Sequence, residues 1–235
     1  MEKIIELKNV YKYYKMGEKR VSALKDIDLD IYKGEIVVIL GPSGSGKTTF
    51  LNVCSGLDTV SKGKIIFGGK NITKYSDRRL TLFRKKNHGF IFQTYNLLEN
   101  LNVYENVLVG ANLSHSKEDI DKIIKTVGLT SHKKKYMYEL SGGEQQRVSI
   151  ARALAKNPKV MFCDEPTGAL DEKTGKKVLD ALVKANEKIG TTIIVVTHNP
   201  GIALIGDRII KMNSGTIIDI FENKKRIPAK DIPWG

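Results

Sequence analysis

Cysteine is scarce in this chain of 235 residues: only Cys54 and Cys163 occur, each among apolar neighbours. Two thiols fall short of a metal cluster, and they read as small core residues in a reducing compartment. Long hydrophobic runs are missing too. The longest, residues 36–40 and 193–196, read as buried strands. Both lie far below the roughly 20 residues that a membrane span needs. The opening Met1-Glu2-Lys3-Ile4-Ile5-Glu6 carries charges where a secretory leader needs an apolar stretch. The expectation is a protein kept in the cytosol. Acid is the minority charge: 26 Asp and Glu against 39 Lys and Arg leave a net charge of +13. A lysine-rich solvated surface accounts for this first, attraction to anionic lipid headgroups beside a membrane partner second, and nucleic-acid binding last. The basic clusters at 84–86, 133–135 and 224–226 are scattered and lack an interleaved aromatic stripe, so no nucleic acid is expected.

What is present is an alternation of strand and helix patterns, in a chain long enough to bury a full core. Residues 4–10 and 21–31 alternate loosely as strands. Residues 36–40 form a buried strand that runs into a glycine-rich turn. A helix follows over 47–55, stopped by Gly56 and Asp58, and then a strand over 64–67. From about 94 to 158 the texture is helical. Leu97, Leu98, Leu101, Val103 and Val107 suggest helical turns, and Ser116 opens a helix with Ile120, Ile123, Ile124 and Val127 on one face. Strands at 160–163 and 191–197 flank an amphipathic helix over 174–189, with Val178, Leu179, Leu182 and Val183 inward. A last hairpin turns at Ser214-Gly215, and 223–235 reads as an exposed basic tail.

Three motifs carry chemistry. Gly41-Pro-Ser43-Gly44-Ser45-Gly46-Lys47-Thr48, followed by Thr49, fits the phosphate-binding loop G-x-x-x-x-G-K-[ST] in its required place between strand and helix. Its glycines let the backbone turn N–H groups toward phosphate oxygens, and the helix start adds its dipole. Lys47 supplies a point charge for the outer phosphates, and the Thr48 hydroxyl suits Mg²⁺. A second motif is the apolar strand that ends in Asp164-Glu165. It offers one carboxylate for the metal and one to polarise an attacking water, and His198, after the next strand, is placed to reach the γ-phosphate. Surface acids before a Pro166 turn are the bland alternative. The third motif is Ser141-Gly142-Gly143-Glu144 before a helix. It reads as a capping box, yet two glycines in a first turn favour an anion site over stability. Two phosphate-seeking helix starts make sense if two copies pair head-to-tail and each ATP is gripped by both.

In this order the motifs resemble the ATPase subunits of ABC transporters over nearly the whole chain. The resemblance implies an α/β fold: a P-loop NTPase core with a mixed sheet and an N-terminal antiparallel β subdomain (1–93 and 159–222), a helical insert carrying the signature (94–158), and the tail. It implies ATP and Mg²⁺ as ligands. Gln93 in Phe90-Ile-Phe-Gln93 resembles the glutamine that reaches the metal and the attacking water. Asp171 in Gly168-Ala-Leu-Asp171 resembles the loop that crosses the dimer interface, and Tyr14 the aromatic that stacks on adenine. Residues 21–26, 56–58, 166–171 and 197–200 resemble the lipoprotein-release, macrolide-export and antimicrobial-peptide-export branch. That branch implies a separate permease with a large extracytoplasmic domain, an ATP-dependent homodimer or pairing with a related subunit, and a place on the inner face of the cell membrane. A soluble ABC ATPase acting on nucleic acid or the ribosome, and a non-hydrolysing ATP-binding adaptor, are the alternatives. Met137, where many relatives have proline, and Cys163 before Asp164 depart from the pattern without removing a catalytic group.

Overall fold

The computed structural model of the chain describes residues 1–234, and of Met16 the backbone alone. The first two strands, β1 (Lys3–Met16) and β2 (Lys19–Tyr32), form one long antiparallel hairpin. Both outrun the stretches 4–10 and 21–31 that alternate in sequence. Register shifts between Leu7 and Val10 and again before Lys12 and Tyr13 break the period of two, so β1 continues through polar residues that look like a loop. With β4 (Lys62–Phe67) and β5 (Lys70–Asn71) they make a sheet of order β2-β1-β4-β5.

The second sheet holds six strands among the described residues. Across it lie β10 (Thr216–Glu222), β9 (Arg208–Asn213), β3 (Ile36–Leu40), β8 (Thr192–Thr197), β7 (Val160–Asp164) and β6 (His88–Ile91). All but the edge strand β10 run parallel. Both faces are buried, which is why β3, β7 and β8 read as unbroken apolar runs. Ile36, Val38, Met161, Cys163, Ile193 and Val195 face one core cluster, shared with α3 (Val103–Ser114), α4 (Ile120–Thr126), α5 (Gly142–Ala155) and α6 (Glu172–Ile189). Val37, Ile39, Val160, Phe162, Ile194 and Val196 face the other, shared with α1 (Lys47–Ser55) and the antiparallel sheet. Cys54 and Cys163 are both fully buried free thiols, and burial pushes each thiol pKa up.

Three sequence expectations need correction, and one helix carries no sequence signal. Helix α2 (Asp77–Asn87) was not legible: it is mostly charged and buries only Leu80 and Asn87, but the Ser76 hydroxyl caps it at Arg79 N–H. Residues 97–101 form extended chain and turns instead of helix. The buried Asn106 amide bonds the Leu98 and Leu101 carbonyls there, and α3 begins only after its Asn102–Glu105 capping box. Helix α4 starts at Ile120 with Asp119 as its cap, so Ser116 lies outside it. The tail keeps most of its residues exposed but is docked through a few apolar ones. Ala229 and Ile232 are buried at 3% and 1% exposure, and Trp234 packs on the same core. Asn223 bonds the Ala203 and Gly206 carbonyls, and Arg226 reaches Asn186 and Asp207. Single apolar residues set between lysines hide this from any periodicity. Gly235, the last residue of that segment, lies outside the described residues.

No helix among the described residues is long and apolar enough to cross a membrane.

Candidate nucleotide site

Parallel strands deliver their carboxyl ends to one edge of the sheet, and a crevice outside that edge is the usual place for a ligand in such sheets. Here β3 runs into Gly41, β6 toward Gln93, β7 into Asp164-Glu165, and β8 into Thr197-His198. The Gly41–Thr48 loop is shaped by glycine. Gly44 and Gly46 hold φ of 75° and 97°, and a side chain on Gly46 would press on the Ala23 carbonyl at 2.6 Å. Gly41 lies so close to the Met212 carbonyl that any side chain would collide. Helix α1 has no side-chain cap at its start, so its first N–H groups are left for a ligand. Lys47 is 8% exposed and donates to the Gly41 and Pro42 carbonyls at 2.7 and 2.9 Å. The buried Ser45 hydroxyl has no hydrogen-bond partner among the described residues.

Beside the loop the Thr48 hydroxyl donates to Asp164 Oδ1 at 3.3 Å. Burial raises the Asp164 pKa, the Thr48 bond and Lys47 pull it down, and the neighbouring Glu165 raises it. Glu165 sits at φ 47°, a conformation that costs a non-glycine residue roughly 1–3 kcal/mol. Its N–H donates to the Val196 carbonyl at 3.0 Å. Thr197 Oγ1 donates to one carboxylate oxygen at 3.2 Å, and His198 Nδ1 lies 2.9 Å from the other. The strained turn thus aims an anchored carboxylate at the loop.

These residues surround a cleft of about 720 Å³ lined by Ser43 to Thr49, Glu165 and His198. Val21, Ser22, Ala23 and Lys25 of β2 and the Ser214-Gly215 turn form the opposite wall. Sequence reasoning gave that wall no role. Its one signal is Gly215, whose φ of 82° and contact with the Ala23 carbonyl exclude any side chain. Gly215 also bonds Ser45 O and Lys25 N, which clips the turn to the phosphate loop.

Other expected residues lie outside the cleft lining. Tyr14 gives its hydroxyl to Asp58 at 2.7 Å, with the Thr49 hydroxyl as its other neighbour. Gln93 faces a separate hollow with Tyr95, Leu97, Glu99, Tyr138 and Gln145, and packs against Gly168. Met137 lies in the segment before the Ser141 turn. It is buried, and its carbonyl accepts from Gln145. Asp171 caps α6 by accepting from Thr174 N–H at 3.0 Å, and bonds from the Thr174 side chain and backbone lower its pKa.

The Ser141–Glu144 turn opens α5 away from the cleft lining. The Glu144 carboxylate accepts from the Ser141 N–H and hydroxyl, both at 2.8 Å. A side chain on Gly143 would collide with Thr174, and one on Gly142 would come 2.8 Å from the Tyr95 hydroxyl. Packing of α5 on α6 therefore requires glycine at 143, so its bareness is not by itself the mark of an anion. Behind the turn, the fully buried Gln146 amide donates to the Pro166 carbonyl at 2.9 Å and the Phe92 carbonyl at 3.3 Å. It ties the signature helix to the chain beside Gln93 and Glu165, a link that sequence reasoning did not foresee.

Comparison with known proteins fits this geometry. The family model described as ABC transporter matches residues 24–168. A putative ABC transporter ATP-binding protein of Mycoplasma genitalium is 48% identical over 236 residues, covering 99% of this chain and 51% of the relative. An uncharacterized ABC transporter ATP-binding protein of Methanocaldococcus jannaschii is 45% identical, covering 92% and 99%. A macrolide export ATP-binding/permease protein of Neisseria meningitidis is 43% identical, covering 97% and 36%. The chain thus spans about half the length of the first curated relatives it matches. Among solved structures, the dimeric post-hydrolysis state of the ATP-binding cassette MJ0796 with ADP and Pi superposes at TM-score 0.83 and 40% identity, covering 93% and 98%. The phosphate loop, the acid pair at the strand ends and the relatedness over nearly the full chain lead to one conclusion: the chain belongs to the ABC transporter ATP-binding family.

Proposed function

We propose that the chain binds MgATP in the cleft of the parallel sheet and hydrolyses it as one half of a head-to-tail dimer that drives a membrane permease. The observation that carries this is the anchored Glu165. Its carboxylate is held by Thr197 and His198 beside an uncapped helix start and a half-buried aspartate. The α1 N–H groups and Lys47 grip the phosphates. Thr48 and Asp164 suit a magnesium ion, which takes one or two protein oxygens and fills its remaining positions from phosphate and water. No cluster of three or more His, Cys, Asp or Glu side chains competes for a metal among the described residues. Magnesium, when bound, would neutralise phosphate charge. Glu165 orients a water for in-line attack. The new bond joins the water oxygen to the γ-phosphorus, the bond to the bridging oxygen breaks, ADP leaves, and the released proton passes by way of Glu165. His198 fixes the carboxylate and reaches the γ-phosphate, while Gln93 and Tyr14, which lie outside the cleft lining here, would reach the metal and water and the adenine respectively.

Ser141, Gly142, Gly143 and Glu144, with Asp171, belong to the partner copy's nucleotide in this reading. The dimeric MJ0796 cassette supports it. The permease would dock on the hollow around Gln93, where Tyr138 is 81% exposed. The chain would then sit on the inner face of the membrane. The macrolide-export relative, which carries ATP-binding and permease parts in one protein, supports export or extraction of a peptide, lipid or drug by a permease with a large extracytoplasmic domain. Transporter relatives favour this over the nucleic-acid alternative.

The test is ATP turnover by wild type and Glu165→Gln, run beside size-exclusion chromatography with MgATP. Turnover in the variant should fall by about 10²–10⁴, and the variant should elute as an ATP-dependent dimer. Wild-type turnover in the variant would remove Glu165 from the reaction.

A further inference from the structure

The docked tail reaches both halves of the proposed machinery. Trp234 rests on Gly175, in the first turn of α6, whose N–H donates to the Asp171 carbonyl at 2.8 Å. A side chain on Gly175 would collide with the indole. The preceding residue, Thr174, packs its methyl against Gly143 of the signature turn. The Pro233 carbonyl meanwhile abuts Gly201, which also has no room for a side chain. Gly201 stands three residues after His198, and its N–H donates to Asn199 Oδ1 at 2.8 Å. Buried Ala229 and Ile232 anchor the approach, and Ile227 N–H bonds the Leu204 carbonyl at 2.9 Å. Two glycines are thus kept bare for two consecutive tail residues. One lies beyond the γ-phosphate histidine, and the other lies under the loop and turn offered to a second copy.

We propose that Trp234 is a positioning residue for ATP hydrolysis: the tail clamps the start of α6 to the loop after His198, and so sets the geometry of Asp171, Gly143 and His198 together. This rests on the ATPase reading above. The phosphate loop lies outside the clamp, so nucleotide binding by one copy does not need it. Catalysis and dimer closure do, because they require the clamped elements in register.

The sequence contains one tryptophan, so Trp234 is its own reporter. The experiment compares wild type, Trp234→Ala, Trp234→Phe, Gly175→Ala and the Trp234→Ala/Gly175→Ala double variant. Turnover is expressed per nucleotide-binding site, counted by titration with a fluorescent ATP analogue, so that misfolded protein does not enter. The expected result is a roughly three- to tenfold lower kcat in Trp234→Ala, with KM for ATP unchanged. Phenylalanine should restore most of the rate. Gly175→Ala should reproduce the loss, and the double variant should lose no more than either single one. Tryptophan emission of the Glu165→Gln chain should shift when MgATP closes the dimer. A wild-type kcat per site in Trp234→Ala overturns the proposal, as does a loss that adds to that of Gly175→Ala. A wild type that does not turn ATP over overturns the ATPase reading instead, which separates the two failures.

Discussion

The two ends of the parallel sheet treat polar groups in opposite ways. At the carboxyl end the groups are left available or strained: an uncapped α1, a buried Ser45 hydroxyl without a partner, and Glu165 at φ 47°. At the amino end most polar groups are fastened, with the buried His88 Nε2 the exception. Arg208 forms two hydrogen bonds with Glu35, at 2.6 and 2.8 Å, and a third with the Asp30 carbonyl. Asp207 accepts from Ile36 N–H, Asn186 bonds the Gly34 and Thr191 carbonyls, and Thr191 bonds the Pro158 carbonyl. An unsatisfied or strained group costs stability, so it persists where a ligand completes it. In the proposed function the first end is the one that nucleotide completes, whereas the second is largely complete as folded.

This contrast breaks if substitutions at the two ends have similar effects. Lys47→Ala should show the largest difference. It should weaken MgATP binding about a thousandfold, near 4 kcal/mol, because a charge-assisted contact to phosphate is lost from a water-poor loop. Calorimetric titration measures it. The melting temperature should hardly move, since Lys47 bonds only two loop carbonyls in the free protein. Comparable affinity in the variant would mean that the loop is not the phosphate site. Glu35→Gln should do the reverse. It strands the Arg208 guanidinium, 12% exposed, and should cost about 3 kcal/mol in urea unfolding while turnover per folded molecule stays unchanged. A fall in turnover without a fall in stability would erase the division between the ends.

The carboxyl end was legible because its chemistry is local. Glycines, a lysine and paired acids follow apolar runs directly, so strand ends and polar residues are read together. The amino end was largely illegible. Glu35 and Arg208 are 173 residues apart, and nothing in either neighbourhood announces the pair. The same distance problem hid the tail, whose docking depends on Gly175 and Gly201 being bare. It also hid the β2 and Ser214-Gly215 wall of the cleft. Helix α2 escaped for another reason: its apolar face is one leucine and a phenylalanine beneath a run of charge, too thin for a periodic signal. Gly143 shows the limit of a local reading. A motif reading assigned its bareness to a ligand, and the structure adds a packing demand from Thr174.

The sharpest small test lies in the two histidines that the sheet places at opposite ends. His198 is largely exposed beside Glu165, whereas His88 starts β6 with no exposed surface, ringed by Phe67, Phe83, Phe90 and Phe162. Burial pushes the His88 pKa from 6.5 down to about 3. The bond to the Ser55 carbonyl works against that shift, and the nearby Lys156 and Arg84 reinforce it. His88 Nδ1 lies 3.0 Å from that carbonyl and donates to it in the neutral ring, while Nε2 has no partner among the described residues, so a second proton would be buried unpaired. The unfolded chain takes up the proton below its ordinary pKa and the folded chain refuses it until far lower pH. Stability is therefore complete above pH 6.5 and is lost as pH falls toward 3. Lowering pH from 7.5 to 5.0 should cost about 2 kcal/mol through this one group. Urea unfolding at the two pH values should show that excess loss in wild type and not in His88→Asn, which retains a donor for Ser55. Equal losses in the two proteins would mean that His88 is not held neutral by the fold, and the amino end of the sheet would then contain a group as unfinished as those at the carboxyl end.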